Sequence, residues 1–144
     1  MKKTLLLIIT FVLIVCMMIL SKFNEYKQNK AELDEFNLKY EQYLNKEILG
    51  TDITTIINQA VDDNEKSFIK KENGKYIQDD EKSVNIEVKI TELEEQPIYS
   101  METLYNGGMS QFAHYYGQMN FTCTTIQYNT LGRVKYMLFE QIVS

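Results

Sequence analysis

Seventeen consecutive uncharged residues, Thr4 to Leu20, constrain this chain more than any other feature. As a helix at 1.5 Å per residue they extend roughly 25 Å, the short end of what crosses a bilayer core. Three readings compete for such a run: an uncleaved membrane span, a cleaved signal peptide and a lipoprotein leader. A cleaved signal needs small residues at its exit. The exit here reads Met17-Met18-Ile19-Leu20-Ser21-Lys22, without that pattern. A lipoprotein leader needs a small residue before its cysteine. Val15 precedes Cys16, and further apolar residues follow. The expected reading is therefore a single-pass anchor. Lys2 and Lys3 precede the run, while Lys22, Lys27 and Lys30 follow it, so the positive-inside count is close to a tie. The very short basic tail favours an N-terminus inside, with the remainder extracytoplasmic.

The chain has 144 residues and a formal charge of -5, or -7 beyond Lys2 and Lys3. An acidic surface repels phosphate, which argues against nucleic acid as a partner. The two cysteines are Cys16, inside the apolar run, and Cys123, far from it. No internal disulfide is expected from that pair.

No Gly or Pro occurs before Gly50. Nothing breaks a helix between Thr4 and about Glu47. Beyond the span, Tyr26, Leu33, Phe36, Tyr40, Tyr43 and Leu44 recur at steps of three, four and seven, which places them on one stripe. This predicts an amphipathic stalk over residues 21–49, following an anchor over 1–20 and preceding a domain over 50–144. Packing on the chain's own domain is the expected cover of this stripe; if a partner helix covers it instead, Tyr26, Leu33, Phe36, Tyr40 and Tyr43 are the candidate partner contacts.

Gly50 is expected to stop the stalk and Thr51 to cap a second helix, in which Ile53, Ile56, Ile57, Ala60 and Val61 form an apolar face and Asp62-Asp63-Asn64 the end. The rest reads mainly as strand. Asn73-Gly74 marks a type I′ hairpin between Ser67–Lys71 and Lys75–Gln78. Val84, Ile86, Val88 and Ile90 alternate with polar residues, as in a strand with one buried face. Pro97 opens a strand through Met101, and Asn106-Gly107-Gly108 is a break. Met109 to Tyr116 reads as a short helix; Phe121–Tyr128 and Val134–Ile142 read as strands. The predicted class is α+β: a long N-terminal helix, a second short amphipathic helix, and a mostly antiparallel sheet of about four to six strands with a short helix inserted.

His114, Cys123 and Arg133 follow one another in an order that resembles a sortase outline, with Thr122-Cys123 matching the end of that family's Thr-Cys motif. Met119 and Asn120 depart from it, and His114 stands too close to Cys123. The expected role of Cys123 is a buried strand residue, and that of His114 a half-exposed helix residue. Asp62, Asp63 and Glu65, and Asp79, Asp80 and Glu81, are acidic clusters at expected turns. Neither has the alternating acids and central Gly of a calcium loop. No catalytic residues, metal ligands or cofactor are expected.

Two resemblances carry further expectations. Gly50-Thr51-Asp52-Ile53-Thr54-Thr55-Ile56-Ile57-Asn58, Asn64-Glu65-Lys66 and Glu72-Asn73-Gly74-Lys75-Tyr76-Ile77 form a pattern with Tyr99-Ser100-Met101-Glu102, Phe121-Thr122-Cys123 and Tyr136-Met137-Leu138-Phe139-Glu140. The pattern resembles a family of small single-pass membrane-anchored proteins from clostridia-like Gram-positive bacteria. That family implies the anchored architecture and brings no site residues. A long helix, apolar then amphipathic, before an antiparallel sheet is also similar to type IV pilins and pseudopilins. Lys3-Thr4-Leu5-Leu6-Leu7-Ile8 stands where their Gly-Phe-Thr-Leu-x-Glu would be. Together these lead to an expected non-enzymatic envelope protein, a structural or interaction subunit that self-associates or joins an envelope partner. The alternative is an extracytoplasmic ligand-binding or sensing module, with Tyr105, Tyr115 and Tyr116 near Gly107-Gly108 as its contact region. A thiol-dependent acyltransferase is the third reading.

Overall fold

The computed structural model describes residues 2–78 and 81–143. The chain divides into two compact units, Met1–Glu35 and Phe36–Ser144. In the first, helix α1 (Lys2–Glu41) contains a stretch long and apolar enough to cross a membrane, none of it buried. By length and composition it fits a membrane anchor or a signal sequence.

The second unit begins with the last turns of α1 and is α+β. Its other helices are α2 (Gly50–Lys66), α3 (Met101–Gly107) and α4 (Met109–Tyr116). Five strands form its main sheet: β1 (Glu47–Leu49), β4 (Asn85–Lys89), β5 (Ile98–Ser100), β6 (Asn120–Tyr128) and β7 (Val134–Gln141). The spatial order is β1-β6-β7-β4-β5. Three of the pairings are antiparallel, and β4 runs parallel to β7. The expected mostly antiparallel sheet is thus present.

One apolar cluster fills the space between sheet and helices. Ile86 and Val88 of β4 stand opposite Met137 and Phe139 of β7. Cys123 of β6 stands opposite Phe139 in turn. The Ile53, Ile56, Ile57, Ala60 and Val61 face of α2 is buried against this cluster, as its spacing predicts. On the other sheet face Lys89 and Glu140 lie 3.9 Å apart, and the Tyr136 hydroxyl donates to Glu87 at 2.8 Å. That face is polar and partly solvated, as antiparallel sheets permit.

α1 stops at Glu41, short of the expected Glu47. Tyr43 N–H donates to the Tyr40 carbonyl and Leu44 N–H to Glu41, a tightened last turn. Asn45 then adopts a left-handed φ of 55°, a conformation that Asn tolerates better than most residues. Residues 47–49, read as the end of the stalk, instead pair with β6. Gly50 opens α2, not the stop of α1, and the Asp52 carboxylate accepts from Leu49 N–H at 3.0 Å.

α2 also runs past Asp62-Asp63-Asn64, to Lys66. Asn64 is buried and forms two bonds with Val84, its amide donating to the carbonyl at 2.8 Å and its oxygen accepting from the N–H at 2.9 Å. The Asn73-Gly74 turn has both residues at positive φ, as expected, but joins strands of two residues each, β2 (Lys71–Glu72) and β3 (Lys75–Tyr76). Residues 67–69 are the helix terminus, not strand. Phe68 N–H bonds Glu65 O and Ile69 N–H bonds Asn64 O, the Schellman closure. Phe68 holds the left-handed position, φ 56°, and is 90% exposed. A Cβ is penalised there, so Phe68→Gly should raise stability by about 1 kcal/mol in urea unfolding. A loss of stability would mean that the ring packs on the domain.

Candidate functional site

The candidate stripe on α1 divides. Phe36 and Tyr40 are buried in the chain's own domain, at 6% and 0% exposure, and Tyr43 packs partly against the same core. They are held there by polar as well as apolar contacts. The Tyr40 hydroxyl donates to Asp63 at 2.8 Å, and the Arg133 guanidinium lies 3.2 Å from the Phe36 ring centre. These three residues follow the domain-packing reading of the stripe and present little surface to a partner. Leu33 is half-buried and Tyr26 is exposed.

The sortase-like set is also dispersed in role. Cys123 lies in the core, and burial pushes its thiol above the ordinary cysteine value, opposed in part by the Thr125 backbone. A raised thiol is a poor nucleophile. Arg133 stacks on Phe36, and His114 is exposed on α4 with its ring edge-on to Tyr115. Of the acidic clusters, Asp62 and Glu65 pair with Lys66 and Lys71, whereas Asp63 is buried, so the first cluster is a helix end and not a solvated turn. Asp79 and Asp80 lie outside the described residues. Among the described residues, no group of three or more His, Cys, Asp or Glu is placed to hold a metal ion.

A different place concentrates exposed aromatic surface. Pro97 and β5 deliver Tyr99, and Ser100 then caps α3, its hydroxyl accepting from Thr103 N–H at 3.4 Å. Gly107 and Gly108 turn the chain from α3 into α4. Between these elements lies an open cleft of about 300 Å³. Its lining comprises Tyr99 from β5, Thr103, Leu104, Gly107 and Gly108 from α3 and the turn, and Gln111, Phe112, Tyr115 and Tyr116 from α4. Leu104 and Phe112 are buried in the core beneath it. Phe112 lies 5.4 Å from Tyr116 and 5.9 Å from Phe121, so α4 is braced on β6 by rings. Tyr115 is 67% exposed. A Cβ at Gly107 or Gly108 would meet nothing within 4 Å, which leaves that side of the cleft open. Burial first, then Tyr99 and Glu92, push the Tyr116 phenol upward, so it stays neutral.

The cleft gathers Tyr115, Tyr116, Gly107 and Gly108 of the expected contact region. Tyr105 is exposed on α3 but does not line it. Thr103 and Gln111 were not singled out in sequence, and Tyr99 entered only within a resemblance pattern; a serine at the N-cap, Ser100, is the local signal that could have found α3. Aromatic faces with a few amide and hydroxyl groups suit non-covalent binding. A second concavity, near Glu92, Gln118 and Asn120, is more polar. There Gln141 already donates to Glu92 at 3.2 Å. Comparison with family models, curated proteins and solved structures found no match to this chain.

Proposed function

We propose that this chain is a membrane-anchored, non-enzymatic interaction protein whose domain meets an envelope partner through the tyrosine cleft. The observation that carries the reading is the cleft itself. It places three tyrosines of β5 and α4 around a cavity, and Tyr115 is held out at 67% exposure. Aromatic residues so placed are the usual anchors of protein contacts. The buried, raised Cys123 thiol weighs against the acyltransferase reading. In this reading residues 4–20 remain in the bilayer and the domain is extracytoplasmic.

The test is a photo-crosslinking residue placed at Tyr115 or Tyr26 in native membranes, followed by mild extraction and mass spectrometry. A defined adduct from Tyr115 that Tyr99→Ala diminishes is expected. Adducts of the chain with itself, from Tyr26 alone, would instead favour assembly through the exposed part of α1. A lone monomer at both positions would end the interaction reading.

A further inference from the structure

The cleft is built from a stretch of chain whose one basic side chain is His114. From Ile90 to Gly132 there is no Lys or Arg, whereas Glu92, Glu94, Glu95 and Glu102 all occur. β5, α3 and α4 fall wholly within it. Lys89, on the neighbouring strand, stands opposite Ile98, and its amine lies beside Glu140 on the polar sheet face. Tyr99 stands opposite Val88 and so belongs to the other face. Among the described residues, no Lys or Arg lines the cleft. Glu102 is turned inward, accepting from Tyr76 N–H at 3.1 Å, while Glu94 and Glu95 are exposed.

Resting on the reading of the cleft as the partner contact, we infer that it takes a Lys or Arg side chain from a basic segment of the partner protein. The face of a tyrosine ring carries negative charge density and attracts a cation within about 6 Å of its centre. Elsewhere in the chain this contact is met internally. Arg133 covers Phe36, and Lys71 lies 4.5 Å from the Tyr76 ring centre. At the cleft no Lys or Arg stands among the lining residues, and Glu92 lies near enough to help push the Tyr116 phenol upward. A volume of about 300 Å³ receives one long side chain and its flanks, not a folded element. Thr103 and Gln111 supply acceptors for its N–H groups. A cleft with uncharged walls in an acidic stretch of chain also favours the approach of a basic segment over an acidic one.

The test uses the full chain in phosphatidylcholine nanodiscs, labelled with 3-fluorotyrosine, its resonances assigned by Tyr→Phe variants. Hexalysine is titrated, with hexaglutamine as the neutral control. The expected result is that hexalysine moves the Tyr99, Tyr115 and Tyr116 resonances and hexaglutamine does not. Gln111→Lys sets a cation at the exposed cleft wall and should weaken hexalysine binding about tenfold, as should Tyr115→Ala. A preserved melting transition shows that each variant is folded. Equal shifts with hexaglutamine would overturn the inference. So would an unchanged Kd in Gln111→Lys, which would reveal diffuse attraction to the acidic surface. If Tyr115 still crosslinks to a partner while hexalysine leaves the three rings unmoved, the cleft is the contact and its cationic ligand is wrong.

Discussion

Gly50→Ala destabilises the domain by about 3 kcal/mol or more, the upper end of what overpacking usually costs. Gly50 is buried where α2 begins, against the end of α4. Its N–H donates to the Met119 carbonyl at 2.9 Å, and Thr51 N–H donates to Gly117 at 3.1 Å. A Cβ at Gly50 would sit 2.0 Å from the Tyr116 carbonyl oxygen, 2.7 Å from its carbon and 3.0 Å from the Gly117 Cα. All three are backbone atoms, so no side-chain rotation relieves the clash. α2 and α4 would have to separate, which strains both hydrogen bonds and the Leu49–Asn120 pairing next to them. Gly108→Ala is the control, since a Cβ there meets nothing within 4 Å. It should stay within about 0.5 kcal/mol of the parent. Urea midpoints compare the two, and equal midpoints would refute the close approach. The consequence reaches the cleft, because α4 carries Tyr115 and Tyr116.

This contact also marks what the sequence made legible. Gly50 stood out as a break, yet chain order alone cannot distinguish a helix stop from a glycine required by a neighbouring backbone. The periodic elements were readable: the apolar run, the Ile face of α2, the alternation in β4, and strands β6 and β7. The apolar run declares itself by length, and each of the others has a repeat that its own burial imposes. β1 was not, because three residues carry no period and their strand identity comes from β6, more than seventy positions away. α3 was hidden for a related reason. It has seven residues, and its Ser100 cap is itself the last residue of a three-residue strand. The cleft was half visible, as tyrosines near two glycines. Tyr99 joins them through the β4–β5 pairing, which no local pattern encodes. The α1 stripe shows the opposite limit. Its helical spacing was right, but spacing gives a face and not what covers it, and for Phe36 and Tyr40 the cover is Asp63, Arg133 and the domain core.

That cover leads to the second large effect, a loss of stability in alkali that originates at Tyr40. The Tyr40 side chain is fully buried, its hydroxyl donating to Asp63 at 2.8 Å, and Lys39 donates to the same carboxylate at 3.2 Å. Burial first, then the charge and hydrogen bond of Asp63, raise the Tyr40 phenol far above its ordinary value. The neutral form therefore belongs to the fold, whereas an unfolded tyrosine ionises near pH ~10. The stabilisation is fully present below pH ~10 and falls as pH rises above it, by up to about 1.4 kcal/mol per pH unit for one such group. Tyr128, pushed up to about 12 by burial and its bond to Glu41, adds to the same decline. At 41% exposure, solvent screening makes its share smaller. Tyr40→Phe should cost about 1 kcal/mol at pH 7, through the lost hydrogen bond, and flatten the fall between pH 10 and 11. Asp63→Ala should cost about 3 kcal/mol at pH 7, because it strands the buried hydroxyl and removes the partner of Lys39. Urea unfolding from pH 7 to 11 separates the two variants. An alkaline slope unchanged in Tyr40→Phe would place the titrating group elsewhere and make the Asp63 contact a matter of packing.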